Sequence, residues 1–287
     1  MRGRVVAAYG RRFEVETPDG RRLHCTVKGK RGGIACGDEV NVRESGHGGM
    51  IESVAPRRSL LYRSDAFREK LIAANVTQAA IVLAPVPSYS DELLARCLVA
   101  AESQGIGALL VLNKADLEPE AGAARERLRL YESLGYALIT ISAKRDVSPL
   151  VARLSGHVNV LVGQSGMGKS TIVNALLPGT GAATAEHSQA LDSGRHTTSH
   201  SRLYRLDART DLIDSPGMQE FGLRHVAAED IAAGFPELRP QLGRCRFRDC
   251  RHLEEPDCAI AAAAAAGAVD PRRLELYRAL RRERDRR

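Results

Sequence analysis

Gly163-Gln164-Ser165-Gly166-Met167-Gly168-Lys169-Ser170 has the G-x-x-x-x-G-K-[ST] spacing of a phosphate-binding loop. Glycines at that spacing let backbone N–H groups turn onto phosphate oxygens with no Cβ in the way. Lys169 is placed to reach the β and γ phosphates of a nucleotide, a catalytic part, and Ser170 to hold Mg2+. An apolar strand-like run precedes the loop. Thr171 and the residues to Leu177 follow as a helix whose N-terminus favours anions. Asp214-Ser215-Pro216-Gly217, after Leu212 and Ile213, fits a D-x-x-G switch. Its aspartate would hold Mg2+ through water, and the Gly217 N–H would sense the γ-phosphate. The polar segment 185–206 between loop and switch reads as a mobile first switch, where Thr197 or Thr198 completes the Mg2+ shell.

A base reader accompanies the phosphate loop. Asn113-Lys114-Ala115-Asp116 follows a buried-strand pattern, and its carboxylate can accept two hydrogen bonds from guanine N1 and the 2-amino group. Adenine lacks those donors, so a site built for them discriminates strongly. Ser142-Ala143-Lys144, after the next strand, suits the loop that contacts the guanine oxygen. In an ordinary small GTPase the phosphate loop comes first, whereas here the base reader leads. Joining the old chain ends and cutting elsewhere preserves every contact, so the order predicts a circularly permuted GTPase domain. Met218, after the D-x-x-G, cannot orient water as a glutamine would, and His225 is the nearest substitute. A scaffold that seldom hydrolyses its GTP is the alternative Met218 leaves open. A small-molecule kinase is disfavoured by the NKAD box.

A third group is metal-like. Cys245-x4-Cys250-x-His252-x5-Cys258 supplies three thiolates and an imidazole, a closed tetrahedral Zn2+ set with no open position for catalysis. The surrounding residues are too polar to form a core, so the metal would hold them together.

These groups need three kinds of scaffold. Residues 1–60 alternate apolar and polar residues between Gly and Asp turns, fitting about five strands of an OB-fold-like β-barrel. An SH3-like barrel shares the periodicity. Residues 61–222 alternate short apolar runs with helical stretches, the pattern of a parallel α/β sheet with helices on both faces, whose ligands bind at strand carboxyl ends. Residues 223–287 read as a helical zinc-binding domain, with a helix stopped by Gly267 and a basic last helix started by Asp270 and Pro271. At 287 residues the chain suits two or three domains, and 44% hydrophobic content supports real cores. No apolar run nears the roughly 20 residues of a membrane span. A cytoplasmic protein is expected, with a monomer as the default.

The net charge of +7 is concentrated at the ends: residues 1–60 carry a surplus of five cations and residues 244–287 a surplus of four. A polyanionic partner is one reading and solvated surface the other. Arg272, Arg273, Arg281 and Arg282 are candidate RNA contacts on the last helix.

Taken together, NKAD, SAK, GQSGMGKS, GRHTTSH, DSPGMQEFGLRH and the cysteine–histidine spacing resemble the ribosome small-subunit-dependent GTPase A family over essentially the whole chain. The resemblance implies a bacterial GTPase that binds the small ribosomal subunit, is stimulated by it and acts late in its maturation. It further implies rRNA contacts from barrel and zinc domain, and a catalytic histidine at the position of His225.

Overall fold

The computed structural model describes residues 1–27, 33–46, 48–64, 69–178, 201–215, 223 and 225–286. Strands β1 (Arg2–Tyr9), β2 (Arg12–Glu16), β3 (Arg22–Val27), β4 (Glu39–Ser45) and β5 (Gly48–Val54) form the expected barrel. It runs in the order β1-β2-β3-β5-β4 and closes by pairing β1 with β4. Alternation decides its inside: Phe13 and Val15, then Val40 and Val42, point inward onto Val5, Cys25 and Ile51. Thr17-Pro18-Asp19-Gly20 turns the chain between β2 and β3, with the Gly20 N–H donating to the Thr17 carbonyl at 2.9 Å.

A two-stranded hairpin follows, β6 (Leu60–Ser64) with β7 (Glu69–Ala74). It is pressed against the barrel where Gly37 adopts φ +94°. A Cβ there would lie 2.2 Å from the Ala74 carbonyl oxygen, so this junction requires glycine.

The central sheet is built from β8 (Gln78–Leu83), β9 (Gly107–Leu112), β10 (Ala137–Thr140), β11 (Val158–Val162), β12 (Arg202–Asp207) and β13 (Thr210–Asp214). Helices α1 (Asp91–Ser103), α2 (Glu120–Ser133), α3 (Ser148–Leu154) and α4 (Lys169–Leu176) connect or follow its strands. The order is β10-β9-β8-β11-β13-β12, parallel except for β12. Strands β8, β9, β11 and β13 are buried along most of their length, as sheets covered on both faces must be. Segment 185–206, expected as one loop, ends in strand β12. Its apolar residues Leu203, Tyr204 and Leu206 are interleaved with arginines, and β12 lies between β13 and the barrel's β1. Barrel and central sheet therefore form one continuous sheet of 11 strands.

The C-terminal part comprises α5 (Ala228–Ala233), a 3-10 turn (Pro236–Gln241), α6 (Ala259–Ala265) and α7 (Pro271–Asp285). Gly267 at φ +77° follows α6, and Asp270 caps α7 by accepting from the Arg272 N–H at 2.8 Å. Ile231, Phe235, Leu238, Leu274, Tyr277 and Leu280 share one core with Leu94 and Leu98 of α1. Two expected RNA contacts are overturned here. Arg273 is 1% exposed and bonded through Nε to Glu237 at 2.6 Å, beneath the rings of Phe235 and Tyr131. Arg281 turns inward, donating to the Ala228 carbonyl at 2.7 Å. An arginine in a mixed helix can serve as an internal strut as readily as a surface cation, and composition does not separate the two.

Candidate nucleotide and zinc sites

The phosphate loop leaves the end of β11 and enters α4 as the motif requires. Gly163, Gly166 and Gly168 all have positive φ, at 147°, 81° and 93°. Two of them also admit no side chain. A Cβ on Gly163 would lie 2.3 Å from the Val82 carbonyl oxygen, and one on Gly168 2.3 Å from Asn113 Nδ2. Met167 turns its side chain into the core, while Ser165 at the loop's crest is exposed.

Lys169 is buried and donates from Nζ to the Gly163 carbonyl at 2.7 Å and the Gln164 carbonyl at 2.8 Å. Burial pulls its ammonium down to about 8, partly offset by the charge of Asp214. Asp214 ends β13, and burial pushes its carboxyl up to about 6 against the opposing pull of Lys169. Its neighbour Ser215 donates to the Leu161 carbonyl at 2.6 Å, tying the end of β13 to β11. Ser170 and Thr171 open α4 directly behind the loop. Phosphate donors, an ammonium, a hydroxyl and a carboxylate thus stand at adjacent strand ends, a set suited to a magnesium-bound nucleotide phosphate. Thr197, Thr198, Gly217 and Met218 lie outside the described residues.

The residues expected to read the base are joined to this loop. Asn113 is buried, donating from Nδ2 to the Met167 carbonyl at 3.0 Å and accepting on Oδ1 from the Ala143 N–H at 3.0 Å. One side chain therefore clasps the NKAD, SAK and phosphate loops together. Ser142 donates to Asp116 Oδ1 at 2.5 Å, and that bond holds the Asp116 carboxyl below its usual range. The carboxylate is exposed and oriented, as a group that receives a base should be. Lys114 sits at φ +61° with Nζ on the Val86 carbonyl at 2.7 Å, and Lys144 is exposed beside the SAK turn.

Two contacts here escape sequence reasoning. The Val86 carbonyl fixes Lys114, and the Ser90 N–H at the cap of α1 donates to Gln164 Oε1 at 2.8 Å. Both use backbone groups of the β8–α1 connection, and a backbone group carries no signature in residue type. His225 is half-buried, with its ring stacked on Tyr62 of β6 at a centroid separation of 4.6 Å.

The metal ligands converge. In Cys245, Cys250, His252 and Cys258 all ligand atoms lie within 4.8 Å of one another. His252 Nδ1 is 3.3, 3.4 and 3.5 Å from the sulfurs of Cys245, Cys250 and Cys258, and the Cys245 and Cys258 sulfurs are 3.9 Å apart. A tetrahedral Zn2+ with bonds of about 2.0 Å to nitrogen and about 2.3 Å to sulfur needs N···S and S···S separations of roughly 3.5 and 3.8 Å. The cluster fits one structural zinc. His252 reaches it from φ +62°, and the Ala259 N–H donates to the Cys245 sulfur at 3.4 Å.

Strand order, loop placement and the clasped base reader define a circularly permuted P-loop GTPase with a barrel and a zinc module attached. Residues 54–224 match the family described as RsgA GTPase. The small ribosomal subunit biogenesis GTPase RsgA of Nitrosospira multiformis is 54% identical over 281 residues, covering 98% of this chain and 90% of that one. The protein of the same name from Nitrosomonas europaea is 54% identical over 284 residues, with the same coverage. The crystal structure of YjeQ from Thermotoga maritima superposes with a TM-score of 0.74 at 28% identity, covering 100% of this chain and 99% of that one. The crystal structure of YloQ, described as a circularly permuted GTPase, does so at 0.71 and 26%, covering 100% and 96%. The chain belongs to the RsgA GTPase family and is a GTP hydrolase.

Proposed function

We propose that this GTPase binds the small ribosomal subunit and couples GTP hydrolysis to the subunit's late maturation and to its own release. The observation that carries the reading is the single site formed by Asn113, Lys169, Asp214 and Asp116 at neighbouring strand ends, in a chain 54% identical to small-subunit biogenesis GTPases. Asp116 reads guanine with Ser142 setting its carboxylate, while Lys114, Ala143 and Lys144 frame the base. The loop from Gly163 through Gln164, Ser165, Gly166, Met167 and Gly168 to Lys169 wraps the phosphates, with Thr171 opening the helix behind it. Ser170, Asp214 and a threonine of the pair Thr197 and Thr198 would hold Mg2+, which supplies charge neutralisation at the phosphates. Gly217 senses the γ-phosphate. His225 orients water where Met218 cannot, after leaving its stack on Tyr62.

The barrel and zinc module make the rRNA contacts, consistent with the basic surplus at both chain ends, and the protein acts as a monomer in the cytoplasm. No helix among the described residues is long and apolar enough to cross a membrane. Turnover with and without small subunits tests the reading, and His225→Ala refines it. That variant is expected to lose most of the subunit-stimulated rate while keeping its nucleotide Kd. Equal stimulation in the variant removes His225 from the mechanism.

A further inference from the structure

The structure relocates the basic surplus of the C-terminal part. Besides the internal Arg273 and Arg281, Arg282 pairs with Glu254 at 2.7 Å and Arg251 with Asp285 at 3.5 Å. By contrast, the knuckle that starts at zinc ligand Cys245 carries Arg246 and Arg248 before Cys250, with Arg244 just ahead of it, three arginines in five residues. Among the described residues, the side chains of Arg244 and Arg248 make no ion pair, and both are exposed. At the crest of this knuckle stands Phe247, 44% exposed. The Arg246 guanidinium lies over its ring, 5.6 Å from the centroid, and is fixed there by Asp257 at 2.7 Å. The Cys250 N–H donates to the Phe247 carbonyl at 3.3 Å, closing the turn from within.

A single exposed apolar ring is ordinary on a protein surface, so exposure alone says nothing; what distinguishes Phe247 is its setting. Here the ring is backed by a cation, held on a metal-anchored turn and flanked by uncommitted arginines. That combination is a stacking platform beside phosphate-binding charges, the arrangement that takes an unpaired nucleotide. We infer that Phe247 and its flanking Arg244 and Arg248 form a docking point for an unpaired rRNA base and its adjoining phosphates. The ring stacks on the base, and the two arginines bind the backbone on either side. The zinc then has a second consequence: it fixes the ring in place before the RNA arrives, so little ordering remains to be done on binding.

The inference rests on the ribosomal reading above. Its test uses the full-length, zinc-loaded protein with a non-hydrolysable GTP analogue and purified small ribosomal subunits, in a salt series. Phe247→Ala should raise Kd about tenfold, the order of one lost base stack, with the salt slope unchanged. Phe247→Trp should restore binding, whereas Phe247→Leu, which keeps apolar bulk without an aromatic face, should not. Arg248→Ala should reduce the salt slope by about one. Methylation probing of rRNA bases should show a protection that Phe247→Ala abolishes. Wild-type affinity in Phe247→Ala or Phe247→Leu overturns the inference. So does weakened binding with base protections intact, which makes the partner a ribosomal protein. Zinc content of each variant, read alongside, identifies damage to the knuckle. Should Phe247→Ala lose zinc, Phe247→Leu and Arg248→Ala decide. Failure of the wild-type chain to bind subunits contradicts the ribosomal reading itself, a distinct result.

Discussion

Asp214 and Lys169 are opposite charges that burial pushes toward neutrality, to about 6 and about 8. For Asp214 the folded value lies above the unfolded one. The contribution of Asp214 to stability is therefore most favourable below about pH 4, declines as pH rises to about 6, and stays reduced above that. A shift of this size corresponds to about 3 kcal/mol of destabilisation at neutral pH. Asp214→Asn is expected to raise Tm at pH 7.5 in nucleotide-free, magnesium-free protein while abolishing turnover, with the advantage fading toward pH 4. A lower Tm at pH 7.5 contradicts the burial argument. At the base, Asp116→Asn should move preference from guanosine toward xanthosine nucleotides, checked by competitive binding, and unchanged guanine selectivity refutes its role. The site was legible at this scale wherever chemistry resides in a side chain. The structure places Asn113, Lys114, Asp116 and the phosphate loop at neighbouring strand ends and brings the four zinc ligands into one cluster. What was not legible is what positions them, since the Val86 carbonyl and Ser90 N–H look the same in any residue.

Among the elements, α1 is shared by two parts of the molecule. Its cap touches the phosphate loop through Gln164, and its body packs under the C-terminal helices, with Glu102 paired to Arg239 at 2.5 Å and Arg96 to Glu283. Gly234 lies against it so closely that a Cβ would meet Val99 at 2.9 Å. The buried strands were readable because continuous apolar runs ending in polar loops have few other uses. Strand β12 was not, because arginines alternate with its apolar residues, and its partner β1 is about two hundred residues away in sequence. The zinc knuckle carries little apolar burial of its own, and Phe247 and most of its neighbours are exposed. Removing zinc from the intact protein should therefore lower Tm and the helical signal in circular dichroism. An unchanged thermal transition after chelation rules out a structural role.

At the scale of the whole molecule, one 11-stranded sheet joins barrel to GTPase, and a buried ion pair ties the last helix to the 3-10 turn within the C-terminal part. Arg273 and Glu237 are 1% and 4% exposed, so Arg273→Ala strands a buried carboxylate and should cost about 3–5 kcal/mol in denaturant unfolding. A loss below about 1 kcal/mol means that this pair does not hold the module. Permutation makes the D-x-x-G strand β13 the last strand in chain order, and the chain passes from it into the C-terminal part. Nucleotide-dependent movement thus has a covalent route to the proposed RNA-binding surface. The most direct test of the account is the rate of GTP hydrolysis by the purified protein, alone and with small ribosomal subunits. The account predicts slow basal turnover and strong stimulation by the subunit, both abolished by Lys169→Ala. GTP binding with a rate that small subunits leave unchanged would contradict it.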